Sequence, residues 1–311
     1  MTAAAPTDTG RRTRLLATVL LVALTAVWGS TFFLIRDLVR TVPPLDFLAL
    51  RFTIAAVLMV VVFWRPLRAL GRREWAAGAA LGLLYGVAQV LQTIGLAHTD
   101  ASVSGFITGL YVVLTPVLSA LLLRERVGAP TWVAVLLSTG GLAVLSLRGV
   151  SVGTGEALTL ACAVVYALHI IGLGRWSTPR HATGMSAVQM IVIAAVSLVG
   201  AVPGGITWPQ GGGQWASVLY MATAAGVLAL WAQTWAQARL TATRAAIVMT
   251  LEPVFAALFA VLFGGEDLTA RLLLGGVLVV AAMYVVELGG RWTPRRGREP
   301  VAVEALHHEA G

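Results

Sequence analysis

Ten apolar runs, each about 17–25 residues long, follow one another along the chain with short Arg-bearing connections between them. They are Leu15–Ile35, Phe47–Trp64, Trp75–Ala97, Ala101–Leu123, Thr131–Leu147, Ala157–Gly174, Thr183–Pro203, Gln214–Ala238, Ala245–Gly264 and Leu272–Leu288. At a rise of about 1.5 Å per residue, each run can cross a hydrocarbon core about 30 Å thick as an α-helix. A membrane strand would alternate polar and apolar residues over about ten positions, and these runs do not alternate. The pattern predicts an all-α membrane protein with ten transmembrane helices. Composition agrees: 58% of the 311 residues are hydrophobic and 12% are charged. A soluble domain carries about 25% charged residues, so a soluble globule of this size is excluded.

The net charge of +8 comes from 22 Arg, no Lys and 14 acids. In a soluble chain that balance would suggest nucleic acid. Here the Arg residues fall between the apolar runs, so the basic charge belongs at a lipid bilayer surface and no nucleic acid partner is expected. Arg11, Arg12 and Arg14 before an apolar stretch resemble a signal peptide, but the stretch continues through Trp28 and Phe33 without an A-x-A site. It reads as the first span. With a cytoplasmic N-terminus, 17 Arg lie inside and 4 outside, while Arg51 sits within a span. The positive-inside rule therefore puts both termini in the cytoplasm of a multi-pass protein of the cell membrane. Residues 1–14 and 289–311 read as cytoplasmic tails. The single cysteine, Cys162, excludes an intrachain disulfide.

A shift of 141 residues lays the chain on itself. Gln92-Thr93 then falls on Gln233-Thr234, Ala101 on Ala242, Leu110 on Leu251 and Glu125 on Glu266, without a gap from residue 92 to 147. Each half holds five runs, residues 15–147 and 153–288. Five is odd, so the two halves enter the membrane in opposite senses. Inverted repeats of this kind build alternating-access transporters, with the binding site near mid-membrane between the halves.

Several short motifs occur in order across the two halves. They are Trp28-Gly29-Ser30, Pro44 with Arg51, Gln92 through Ala101, Pro116 before Arg124-Glu125-Arg126, and Leu251-Glu252-Pro253-Val254 before Gly265-Glu266. Together they resemble the EamA-type family of the drug/metabolite transporter superfamily, over residues 15–288. The resemblance implies ten helices in two inverted five-helix repeats. It also implies a central cavity lined by spans one to four and six to nine, with spans five and ten peripheral. Relatives of this type export amino acids, other metabolites or drugs. Where the pattern has Trp-Ala in the sixth span, this chain has Tyr166-Ala167, followed by His169.

Ionisable groups within spans are few and expensive, so each one is a candidate. Arg51 reads either as an anion contact or as a structural cation held by backbone carbonyls. Glu252, before the helix-breaking Pro253, reads either as a site for a cation, proton or amine, or as a kink stabiliser or partner of Arg51. His169 is either a proton relay or a neutral hydrogen-bonding group. Tyr85, Gln89 and Gln92 share one helix face, as do Thr108, Tyr111 and Thr115, and as do Trp231 and Trp235. These stripes form either a cavity wall or interhelical glue. Trp28, Tyr166 and Gln233 complete the candidate cavity. Glu125 and Glu266, at helix ends, read as structural partners of Arg or loop amides. Gly29-Ser30, Pro116 and Pro253 are candidate bends.

There is no GxxxxGK[ST] loop, no HExxH and no His/Cys/Glu metal cluster, so neither a cofactor nor a metal is expected. An intramembrane enzyme would need a Ser-His dyad or two intramembrane Asp. No G-x-S-x-G surrounds Ser104, and the Asp residues near the membrane lie at span ends. A channel would need a ring of filter residues. The sequence therefore reads as a secondary transporter, not an enzyme. Its partners are a small-molecule substrate and a coupling proton or ion.

Overall fold

The computed structural model describes residues 8–123, 128–148, 151–178, 180–201, 204–237 and 248–289. The Arg124-Glu125-Arg126 loop, Arg239, Ala242, Arg244 and the C-terminal tail lie outside the described residues. The helices of the first half are α1 (Asp8–Leu38), α2 (Pro44–Arg68), α3 (Arg72–Leu96), α4 (Ala101–Gly109), α5 (Tyr111–Leu123) and α6 (Ala129–Ser146). A two-residue antiparallel ladder follows, β1 (Leu147–Arg148) with β2 (Ser151–Val152), pairing Leu147 with Val152. The second half holds α7 (Thr154–Trp176), α8 (Ala182–Ala201), α9 (Gly211–Ala222), a π-helical segment (Thr223–Leu228), α10 (Ala229–Gln237), α11 (Leu251–Leu262) and α12 (Ala270–Gly289).

Seven helical stretches among the described residues are long and apolar enough to cross a membrane. Gly211–Gln233, which runs through the π segment, counts as one of them. Ala129–Leu145, Leu251–Leu262 and Ala270–Val285 are apolar but shorter. The described parts of the ten apolar runs thus all contain helix, with shifted ends. The first begins at Asp8, inside the segment expected to be a tail.

Two helices carry a one-residue irregularity, one position apart in the repeat. In the fourth run it is Leu110, between α4 and α5, which keeps helical angles (φ −58°, ψ −16°). In the ninth it is Thr250, before α11, with φ −64° and ψ −13°. Pro253 lies in the first turn of α11, where its missing N–H costs no helical bond. In α2, Pro66 produces a true kink, with non-helical angles at Phe63.

Gly29-Ser30 is not a bend, because α1 runs straight through it. Gly29 is instead a packing notch. A Cβ there would lie 2.6 Å from Phe255 Cβ and 2.8 Å from Ala256 N of α11. On the other side of α11, a Cβ on Gly105 of α4 would lie 2.5 Å from Ala256 Cβ. Small residues let these backbones approach closely, and dispersion from close packing drives helix association in lipid. Gly105→Val should therefore overpack this crossing and destabilise the fold by about 1–3 kcal/mol. Ala256→Gly in the same chain should restore part of the loss, as read by thermal unfolding in detergent.

Elsewhere α2 packs mainly on α8, and α3 on α7 and α8. The helices α6 and α12 pack mainly on each other. This leaves α1–α5 and α7–α11 to surround the interior.

Candidate functional site

The interior holds a partly open cavity whose empty space, counted out to where it meets solvent, is about 550 Å³. Its wall includes Trp28, Thr31 and Phe32 of α1, Arg51 of α2, and Tyr85, Gln89 and Gln92 of α3. Thr108, Tyr111, Tyr166, His169 and Ile170 add the next face, and Gln233, Met249 and Glu252 close it. Of the twelve residues Trp28, Arg51, Tyr85, Gln89, Gln92, Thr108, Tyr111, Tyr166, His169, Trp231, Gln233 and Glu252, eleven meet here.

The exception is Trp231. It tilts against Trp235, with ring centroids 6.4 Å apart, and packs against the apolar cluster that holds Leu21 and Leu24. Helix geometry gives the reason. Gln233 is two residues from both Trp residues, about 200° around the helix, so a cavity-facing Gln233 turns both indoles away. Thr115 is also off the cavity; its hydroxyl bonds back to Tyr111 O at 2.7 Å.

Arg51 is buried, and among the described residues no carboxylate lies within ion-pair distance of it. Its Nε donates to Met221 O at 3.3 Å and an Nη donates to Gln89 Oε1 at 3.4 Å. Its guanidinium lies 4.8 Å from the Phe52 ring centroid and 5.9 Å from that of Phe47. The Met221 carbonyl immediately precedes Ala222 and the π segment, and the Ala225 carbonyl within that segment accepts Trp28 Nε1 at 2.9 Å. The irregular turn therefore presents backbone oxygens to two cavity side chains, as π turns at functional sites commonly do.

From Arg51 a polar chain crosses the wall. Gln89 Nε2 donates to the Tyr166 hydroxyl, which contacts Gln92 Oε1 at 3.5 Å, and Gln92 Nε2 donates to Thr108 Oγ1 at 3.2 Å. Tyr85 meets Tyr166 and His169 edge-on, at centroid distances of 5.4 and 5.2 Å. His169 Nε2 bonds Gln189 Oε1 at 2.8 Å, and Gln189 Nε2 donates to Met185 O. The amide oxygen therefore accepts, and Nε2 carries the imidazole proton. Gln189 went unnoticed in the sequence, although a lone Gln in an apolar run is itself a signal for a polar partner.

Glu252 does not pair with Arg51. Its Oε2 accepts from the Tyr111 hydroxyl at 3.1 Å. These two residues are 141 positions apart, the shift that superposes the halves, so this bond joins repeat-related positions. The structure places each charge in the same cavity with its own neutral partners.

Away from the cavity, Glu266 ties three segments together. It accepts from Arg36 at the end of α1, from the backbone N–H groups of Ala101 and Ser102 at 2.6 and 3.2 Å, and from the Ser102 hydroxyl. A carboxylate here satisfies the open donors of the α4 N-terminus and complements its dipole. Gly265, with φ of 68°, turns the chain so that Glu266 reaches back. The expectation that Glu266 is a structural partner of Arg and loop amides describes these contacts. Its repeat partner Glu125 lies outside the described residues.

A helical membrane protein with a buried polar cavity between two related halves has the form of a transporter. Sequence comparison agrees. The EamA-like transporter family matches residues 15–147 and again 153–288, and the chain belongs to that family. An uncharacterized transporter of Archaeoglobus fulgidus is 30% identical over 276 residues, covering 88% of this chain and 87% of that protein. The uncharacterized inner membrane transporter YedA of Escherichia coli K12 is 26% identical, covering 86% and 90%. The uncharacterized protein PA1977 of Pseudomonas aeruginosa is 32% identical, covering 88% and 95%. A crystal structure of 22% identity overlays with a TM-score of 0.64, covering 88% of this chain and 98% of that chain, which is a likeness of fold.

Proposed function

We propose that this membrane transporter is a secondary exporter of small metabolites, amino acids or drug-like molecules, working by alternating access. Its ten apolar segments are read as ten spans in two inverted five-helix halves, residues 15–147 and 153–288, with both termini cytoplasmic. The observation that carries the reading is the separate placement of Arg51 and Glu252 in one buried cavity. An unpaired cation and an unpaired carboxylate are costly in a membrane interior. A polar cargo that engages both would offset that cost while it is bound. The chain of Gln89, Tyr166, Gln92 and Thr108 forms the polar wall, and Trp28, Tyr85 and Tyr111 supply aromatic faces. The twelve residues singled out from the sequence are proposed as substrate contacts with the exception of Trp231.

Counterflow into proteoliposomes with a metabolite panel, with and without a pH gradient, tests this. Saturable counterflow is expected for at least one compound, and dependence on the gradient would identify a proton as the coupling ion. Unsaturable flux without exchange would instead indicate a channel, and product formation an enzyme. For orientation, a cysteine at position 100 in a Cys162→Ala background should react with an impermeant reagent on intact cells. One at position 5 should not.

A further inference from the structure

Two glutamines of the cavity occupy repeat-related positions but differ in one respect. Gln92 is satisfied by the protein: it donates to Thr108 and accepts from Tyr166. Gln233, its counterpart at the shift of 141, makes no hydrogen bond among the described residues, and its Oε1 is buried without a partner. Gln233 is only 4% exposed and lines the cavity.

The sequence explains how this amide came to be left open. The residue at the shift from Thr108 is Met249, which cannot complete an amide hydrogen bond of comparable strength. The second half therefore lacks, at that position, the hydroxyl that accepts from Gln92 in the first. Trp28, which borders the same cavity, already donates its Nε1 to Ala225 O. A buried polar group without a partner is destabilising by more than an average hydrogen bond contributes. Leucine at position 233 would avoid that penalty, so the amide calls for a role outside the fold.

We propose that Gln233 is a ligand-recognition group, and that the transported molecule presents to it a neutral edge with an N–H donor beside a carbonyl acceptor. A carboxamide or lactam on an aromatic or apolar body is the chemical class. The reasoning is complementarity. A free primary amide offers one donor end and one acceptor end, and a second amide edge meets both at once. Met249 and the indole of Trp28, both on the cavity wall, suit the body behind such an edge. A site built around a buried hydrogen-bonding group rejects an isostere that lacks the matching group, because the site's own polar atoms then remain unpaired. The inference rests on the cavity being the transport site, but part of its test needs no transport.

That part compares stability. Gln233→Leu should keep or raise the melting temperature of the purified protein, because it removes an unpaired amide. Gln92→Leu should lower it by about 3 °C or more, because it strands Thr108 and Tyr166. A loss for Gln233→Leu as large as that for Gln92→Leu would make the amide structural and overturn the proposal. The ligand part uses benzamide and acetophenone at millimolar concentration in a thermal-shift titration. The two have the same shape and differ by an NH2 in place of a CH3. Benzamide should bind wild type at least about ten-fold more tightly, and Gln233→Leu should erase the difference. Equal shifts from both compounds, or none from either, would refute the ligand class. If wild type shows no counterflow with any compound, the transport reading fails. The stability comparison still judges Gln233 in that case.

Discussion

Glu266→Gln should destabilise the protein by about 3 kcal/mol and open one end of the cavity. The carboxylate gathers donors from the end of α1 and the start of α4, and Arg36 beside it is only 11% exposed at its side chain. Replacing the charge with an amide leaves that guanidinium with only the half-exposed Asp37, 3.3 Å away, as counter-charge. It also sets an NH2 group either against the Ala101 N–H and Arg36, which bond Oε1, or against the Ser102 N–H and hydroxyl, which bond Oε2. Breaking one side of a buried pair costs more than the pair itself contributes, because the remaining charge stays desolvated. The contacts join α1, α4 and the turn after α11, so their loss frees these segments to separate. A cysteine at the cavity position Thr31, in a Cys162→Ala background, reports the change. An impermeant maleimide added outside intact cells should label it faster when Glu266 is Gln than when it is Glu. Equal labelling together with unchanged thermal stability would remove Glu266 from any role in closure.

The second large effect concerns the two cavity charges. Arg51→Gln and Glu252→Gln should each abolish transport of a zwitterionic cargo. In a double-mutant cycle on thermal stability they should be nearly additive, with coupling below about 0.5 kcal/mol. Each charge is held by its own neutral partners: Arg51 by Met221 O and Gln89, Glu252 by Tyr111. Removing one leaves the other's contacts in place. A coupling of about 1 kcal/mol or more would mean that the two sense each other directly, and the two-ended reading of the cavity would fall. Tyr111→Phe supplies the control. It should couple to Glu252→Gln, because those two share a hydrogen bond.

Much of this was legible in the chain itself. Run length and missing alternation dictated helices, because a backbone in lipid must satisfy its own hydrogen bonds and only a helix does so within one segment. The shift of 141 residues pointed to two related halves, and the family match falls on both. The stripe of Tyr85, Gln89 and Gln92 was readable because residues three and four apart share a helix face, and lipid is a poor neighbour for amides. Single polar residues in apolar runs, such as Arg51, His169 and Glu252, stood out for the same reason.

What the sequence left open is which face of each helix turns inward and which polar groups meet across the interior. Periodicity relates residues on one helix and says nothing of that helix's rotation against neighbours more than a hundred residues away. Trp231 and Gln233 show the consequence, since both were candidates and only one can face the cavity. The choice between an Arg51–Glu252 pair and two separate charges was likewise made by packing. The close approach of α11 to Gly29 and Gly105 brings Glu252 to Tyr111, while the carbonyls beside the π segment hold Arg51 elsewhere. The open amide of Gln233 is also a tertiary fact. The chain gives Gln at both repeat-related positions, and only the assembled interior supplies partners to one and withholds them from the other.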